Sequence, residues 1–451
     1  MTPRMPPRRY RDIGLARGGG DLVPPRRPIQ QEPKGGSTVL KKSLLATVFG
    51  LALAVAATAD ARTSLTFSSW QLEEPGNADW WKAVIADFKA ANPDIDVETV
   101  YIPFNDFLTQ LTIRFASNRP PSVLQISEQN YGAYAAQGWL APLDDRIKGT
   151  AIATEWAAPQ KDLTWDGKTR GVLVSNSAMM LLYNDKLLKD AGVAVPKSWA
   201  EYKAAVAKLT DAKTGIFGLS AVTTQHPTLV EDMHRYTLWA GTSLVKNGKY
   251  NLTSPEVVAA IDAYRTTVGK NAPLGNNSAV ARQLFIDGRT AFLIDGPWIT
   301  SWLDRAKPEM KPNLKMIRAP FDKQGAPGGI TLHIAAGLDK PTEDAAWKFI
   351  LHATQEKWQR AYIMQTGQPA GRARSVLTPE DEKAFPVLKI VSDAAAEGVP
   401  LFPTDQRVRA NFAEYSAILM KAGLRALSTT DPTAKILGDA EADLKRAIPL
   451  D

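Results

Sequence analysis

The chain of 451 residues contains no cysteine. That absence removes a disulfide framework, a thiolate metal site, a cysteine nucleophile and a thiol-linked lipid anchor. Catalytic signatures are missing as well: there is no H-E-x-x-H, no G-x-S-x-G, no P-loop and no dinucleotide fingerprint. No pair of carboxylates at a defined spacing marks a glycoside hydrolase. His226, Glu231 and His234 come nearest to a metal cluster, but His226-Pro227 begins a turn, so neither a metal nor any other cofactor is expected. After residue 62 the chain has no solenoid-type period and no low-complexity tract.

Positive charge is also scarce where nucleic-acid binding would need it. The formal net charge is +7, yet residues 1–61 hold ten Lys/Arg against four acids, which leaves about +1 for residues 62–451. A nearly neutral body gives no support to phosphate-backbone attraction. With 44% hydrophobic and 22% charged residues, the composition is that of a soluble globular protein long enough for two lobes.

What is present begins with an address. Lys41-Lys42 precede an apolar run from Leu44 to Ala57 and then Ala59-Asp60-Ala61: a basic region, an apolar region and a small-x-small cleavage site, in that order. The apolar run falls short of the roughly 20 residues a membrane span needs. Residues 39–61 are therefore expected to be a signal peptide, cleaved to expose Arg62. Residues 1–38, rich in Pro, Arg and Gly, read as a non-native or disordered extension, with translation starting at Val39.

The body alternates. Residues 64–69 read as a strand, and Trp80, Trp81, Val84, Ile85 and Phe88 recur at helical spacing until Asn92-Pro93. Ile95, Val97 and Thr99 resume period two, 107–115 turn helical, and 122–126 form a buried-type strand. A second set follows, with strands at 178–183, 217–221, 292–294 and 315–318 and a helix at 198–209, before a largely helical end at 343–354, 409–425 and 433–447. This predicts an α/β fold of mostly parallel sheets flanked by helices. Ligands of such sheets sit beyond the strands' carboxyl ends, which points to the loops after Phe67 and Ile126.

Phe285-Ile-Asp-Gly-Arg-Thr-Ala-Phe-Leu-Ile-Asp-Gly-Pro-Trp298 resembles the F-x-x-G-K-A-A-M-x-x-x-G-P-W segment of family 1 extracellular solute-binding proteins, the maltose-binding-protein-like receptors of ABC importers. Gly138-Trp-Leu-Ala-Pro-Leu-Asp-Asp145, Leu182-Tyr-Asn-Asp-Lys186 with Ala191-Gly192 and Pro196-Lys-Ser-Trp199, Glu343-Asp-Ala-Ala-Trp-Lys-Phe349, and Thr366 to Arg374 are similar to further elements of that family. They occur in its order across residues 64–449. Gly241-Thr242 in place of Gly-Gly, and Ser122 in place of Asp, depart from its pattern.

The resemblance implies a two-lobed periplasmic-binding-protein fold with crossings near Ser175–Ala178, Gly329–Ala335 and Pro400–Thr404. Lobe one is then 62–175 plus 331–400, and lobe two 176–330 plus 401–451. It implies a monomeric, non-enzymatic periplasmic receptor that closes on a sugar or polyol and hands it to the permease subunits of an ABC importer. A receptor for glycerol phosphate or a polyamine is the alternative. The expected ligand contacts are Trp70 and Glu73 after the first strand, Glu128 and Gln129 after the third, Trp239, Asp295 and Trp298 in the second lobe, Gly329, and Arg372. Aromatic faces take sugar C–H groups, and planar polar groups take hydroxyls.

Overall fold

In the strand Thr63–Ser69, Leu65 and Phe67 point to one side and are wholly buried. This is the alternation that a half-buried strand requires. The computed structural model describes residues 62–450 except Pro75, Asp322, Gln324, Pro327 and 373–375, so the expected extension and signal peptide lie outside the described residues. Five strands form the first sheet, in the order Ile95–Tyr101, Thr63–Ser69, Val123–Ser127, Ile330–Ile334, Val172–Ser175. Its two faces are filled by alternate residues. Val123, Val172, Val174 and Leu332 join Trp80, Trp81 and Phe349 on one side, while Leu124, Ile126 and Leu173 meet Phe107, Leu111 and Tyr134 on the other.

A second sheet has the order Leu314–Arg318, Met180–Asn184, Thr290–Asp295, Phe217–Ser220. The same alternation sends Leu181, Leu219 and Phe292 to the face covered by Tyr202, Tyr264 and Val268. Met180, Leu182 and Leu293 go to the opposite face, covered by Phe285 and Ile286. Each sheet has one strand running against the rest, Ile330–Ile334 in the first and Met180–Asn184 in the second. Each of these follows directly on a passage between the sheets, so it enters its sheet from the side facing the other lobe. The fold is thus a two-lobed α/β structure with helices on both faces of each sheet.

The flanking helices start where the local chemistry says they should. Ser198 accepts a hydrogen bond from the Glu201 amide, Ser254 from Val257 with Pro255 behind it, Asn277 from Val280, and Asp339 from Thr342. Each satisfies one orphan amide of a helix N-terminus.

One boundary differs from the sequence expectation. The helix Pro386–Ala396 packs Val391, Ala394 and Ala395 onto Met180, Leu182 and Leu314 of the second sheet. Ala370, by contrast, still bridges Ser175 of the first sheet. The third passage therefore lies before Pro386, not at Pro400–Thr404, and 386–396 belong with the second lobe. The expected crossing at Gly329–Ala335 ends at Gly329, because Ile330–Ile334 is wholly a strand of the first sheet.

Three histidines are buried among these layers, His234, His333 and His352, and the first two are shifted most. Burial pushes the His234 imidazole down to about 3, aided by Arg235, and that of His333 down to about 4. The unfolded chain takes up these protons near pH 6.5 and the folded chain does not. Their contribution is thus complete above pH 6.5 and is lost as pH falls toward 4. Glu128 and Asp232, pushed up by burial to about 7 and about 6, act with the opposite sign over part of that range. Comparing His234→Gln with the parent cancels those carboxyls. We expect the loss of unfolding free energy between pH 7 and pH 4 to be smaller in the variant by at least about 1 kcal/mol, less than one pH unit of linkage. Equal losses in urea titrations at the two pH values would refute this.

Candidate functional site

The strand Thr63–Ser69 runs into a single 3₁₀ turn, Trp70–Leu72, which places the Trp70 ring against Phe107 at 5.0 Å and Phe104 at 5.5 Å, both edge-on. Phe104 opens the helix Phe104–Ala116 after the second strand and is 64% exposed. Across from this wall, the strand Thr290–Asp295 ends in Gly296-Pro297-Trp298. The Trp298 ring lies so close over Gly296 that a Cβ there would meet three ring atoms within 2.4 Å. Glycine at 296 thus seats the indole.

Between the lobes lies a cleft of about 710 Å³, within the size range of small-molecule sites. Trp70, Phe104 and Gln129 line it from the first lobe, Asp295, Trp298 and Trp302 from the second, and Ser175–Ser177 with Gly328 and Gly329 from the passages between them. Arg282 clamps Asp295 through Nε at 2.6 Å and a terminal nitrogen at 3.1 Å, and the Gly296 amide donates to the same carboxylate at 2.8 Å. Asp295 therefore holds the wall and its turn in place. It is not the cap of the following turn, since Gly296 occupies that position.

Deeper in the second lobe, Arg235 on the helix Thr228–Trp239 is 2% exposed and donates to Asp232 at 2.7 Å and to Glu231. Burial alone would lower its pKa, but the two carboxylates outweigh burial and hold it above the ordinary value. Burial raises Asp232 to about 6 against the pull of Arg235. All three groups line the cleft.

Of the nine expected contacts, Trp70, Gln129, Asp295, Trp298 and Gly329 line the cleft; the other four do not. Glu73 is exposed beside it, while Glu74 takes the lining position. Glu128 turns away from the cleft toward Arg409, 3.6 Å off, into a small pocket under Phe402 and Pro403. Trp239 packs among Trp199 at 5.0 Å, Tyr236 at 5.3 Å and Phe321 at 4.4 Å as part of the second lobe's core. Arg372 is engaged by Glu155, with Glu356 at 3.2 Å. Of His226, Glu231 and His234, the first two lie near each other on the cleft wall and His234 lies apart. His226 contacts Thr228, His234 pairs with Tyr415 at 3.0 Å, and no metal-binding group is found among the described residues.

Gly329 has a packing role as well as a place in the wall. A Cβ there would lie 2.1 Å from the Ser175 carbonyl oxygen and 2.4 Å from Leu173, and the Gly329 carbonyl accepts from the Glu128 amide at 2.9 Å. Gly329→Ala is expected to cost roughly 1–3 kcal/mol of stability by overpacking. A denaturation midpoint unchanged from the parent would refute the close approach.

Phe104, Glu74, Arg235, Arg282 and Trp302 were not singled out from the sequence. The rule that ligands sit beyond strand ends, extended to the loop after the second strand, reaches Phe104. The acid–acid–Arg spacing of Glu231, Asp232 and Arg235 was the other available signal.

A family model described as bacterial extracellular solute-binding protein matches residues 83–387. The diacetylchitobiose binding protein DasA of Streptomyces coelicolor is 27% identical over 328 residues, 68% of this chain and 74% of that protein. Among solved structures, the GacH receptor of Streptomyces glaucescens, determined unliganded and with acarbose, superposes at a TM-score of 0.73. It is 22% identical and covers 86% of this chain and 98% of that one. An ABC transporter solute binding protein of Agrobacterium radiobacter in complex with ribitol superposes at 0.72, with 22% identity over 85% of this chain and 98% of that one. These structural likenesses establish the fold.

Proposed function

Because the chain belongs to the bacterial extracellular solute-binding protein family, we propose that it is the exported binding component of an ABC-type importer, closing its lobes on a sugar or related polyol and delivering it to the membrane permease. The observation that carries this reading is the composition of the cleft. Aromatic rings from both lobes, Trp70 and Phe104 on one side and Trp298 and Trp302 on the other, alternate with amides, hydroxyls and carboxylates. A sugar or polyol presents both C–H faces and dense hydroxyls to such a wall. The ligands named for similar proteins, diacetylchitobiose, acarbose and ribitol, are of this kind.

Closure follows from the placement of the contacts. A ligand touching both walls binds the closed form more tightly than the open one, and that difference alone shifts the population. We assign residues 39–61 as the export signal, the periplasm as the site of action, and a monomer that binds one ligand per chain without chemical turnover. The test is a thermal-shift screen of residues 62–451 against neutral sugars and polyols, followed by calorimetry for stoichiometry. A ligand at one hundred times its dissociation constant adds about 2.7 kcal/mol of stability. Stabilisation by glycerol phosphate with no response to any sugar or polyol would overturn the reading. Turnover of chromogenic glycosides would overturn its non-enzymatic part.

A further inference from the structure

The charges of the cleft are unequal. Glu74, Glu231, Asp232, Asp295 and Asp304 line it against two guanidiniums, Arg235 and Arg282, and no lysine does so among the described residues. Both guanidiniums are committed: Arg282 holds Asp295 through two nitrogens, and Arg235 is shared between Asp232 and Glu231. Turning either toward an anionic ligand would strip a half-buried or buried carboxylate of its counter-charge, which is strongly unfavourable. The cleft is therefore built against phosphorylated and acidic sugars.

Glu74 stands apart from these pairs. No guanidinium or ammonium pairs with it among the described residues, and its side chain is served by Asn77, whose Nδ2 donates to Glu74 Oε2 at 3.0 Å. That bond fixes which way the Asn77 amide points. Asn77 Oδ1 is consequently an identified acceptor. It is buried, in a residue only 4% exposed, and has no hydrogen-bond partner. Asn77 occupies the N-cap of the helix Ala78–Ala91, where its side-chain oxygen would ordinarily accept from a helix amide, yet it makes no such bond. An unpartnered buried acceptor costs free energy, and here it sits beside a carboxylate without a cation, on the wall that also carries Trp70.

A hydroxyl brings one proton to such a place, whereas an ammonium brings three and a positive charge. We propose that the solute is a sugar or cyclitol bearing a protonated amino group, and that Glu74 and Asn77 Oδ1 receive that group in the first lobe. The inference rests on the reading of the protein as a sugar or polyol receptor and narrows its substrate class. Burial raises the Glu74 carboxyl, with the Asn77 and Gln71 hydrogen bonds opposing it, and an arriving ammonium reverses that rise by supplying the missing charge.

The experiment uses residues 62–451 with three matched sets of probes: glucosamine, galactosamine, mannosamine and chitobiose; their N-acetylated counterparts; and the corresponding unmodified and 6-phosphorylated sugars. Calorimetry is expected to show at least one amino sugar binding about tenfold or more tighter than both its N-acetylated and its unmodified partner, the equivalent of one charge-assisted hydrogen bond. The 6-phosphates are expected to bind more weakly than either. Glu74→Gln should bring the ratio of amino to unmodified affinity close to one, with ligand-free unfolding recorded to establish that the variant is folded. Neutral sugars binding as tightly as amino sugars would overturn this inference and leave the receptor reading standing. A ratio unchanged by Glu74→Gln would overturn the assigned residue. No binding by any probe would overturn this inference, and binding of spermidine or putrescine, added as polyamine controls, with no response to any sugar or to the polyols of the thermal-shift screen would overturn both readings.

Discussion

Arg235→Met is expected to lower the unfolding free energy by about 3–5 kcal/mol at neutral pH, the range measured when one partner of a buried charge pair is removed. The guanidinium is 2% exposed and serves two carboxylates, Asp232 with 15% of its side chain exposed and Glu231 with 23%. Methionine fills much of the same volume, so the loss comes from the carboxylates left without compensation and only secondarily from a cavity. The effect has a pH signature. Asp232 is already raised to about 6 by burial, and without Arg235 it is raised further. Protonation of the folded variant therefore relieves the penalty as pH falls from 7 toward 5. Denaturant titrations at the two values check this, and a loss under 1 kcal/mol at pH 7, or one that grows toward pH 5, would refute the charge argument.

Trp298→Ala is expected to weaken ligand binding by roughly 2–4 kcal/mol, about 30- to 1,000-fold, by analogy with the aromatic anchors of protein interfaces. Trp298 is half-buried and lines the cleft, with its ring over Gly296. If the indole instead served the lobe core, truncation would cost roughly 3–5 kcal/mol of ligand-free stability. Measuring affinity and ligand-free unfolding on the same variant separates the two. Gly296→Ala offers a second probe, since its new methyl must displace the ring. Loss of affinity there with the Trp298 side chain retained would show that ring position matters. Normal binding by a destabilised Trp298→Ala protein would remove this residue from the site.

How the site was legible in the amino-acid sequence differs from residue to residue. Trp70 and Gln129 were reached because open-sheet ligands lie beyond strand ends, and both first-lobe strands named for that reason do end at the cleft. Their neighbours Glu73 and Glu128 do not line it. Both strands run into a 3₁₀ turn, Trp70–Leu72 and Glu128–Asn130, and such a turn rotates the chain about 120° per residue. Within the second turn adjacent side chains then face different ways, so Gln129 meets the cleft while Glu128 turns to Arg409; Glu73 and Glu74 follow the first turn, and of these Glu74 lines the cleft. Trp239 and Arg372 are expected contacts on the family resemblance together with their side-chain chemistry. Trp199 and Phe321, against which Trp239 packs, and Glu155, which engages Arg372, lie 40 or more residues away along the chain, beyond the reach of any local pattern.

By itself the sequence determined many of the elements, though not the strands Val172–Ser175 and Ile330–Ile334, and their alternation and hence an α/β fold, because apolar periods of two and 3.6 reflect each residue's own near neighbours. Only the tertiary structure decided what those elements meet. An amphipathic stretch says that one face of Pro386–Ala396 is buried but not against which sheet, and Val391, Ala394 and Ala395 settle it on the second. The same holds for charge: Glu128 and Arg409 are 281 positions apart, yet they sit 3.6 Å from each other. Periodicity is a property of a segment, whereas packing is a property of pairs brought together from distant segments, and it is the two walls of the cleft, one from each lobe, that only such packing brings face to face.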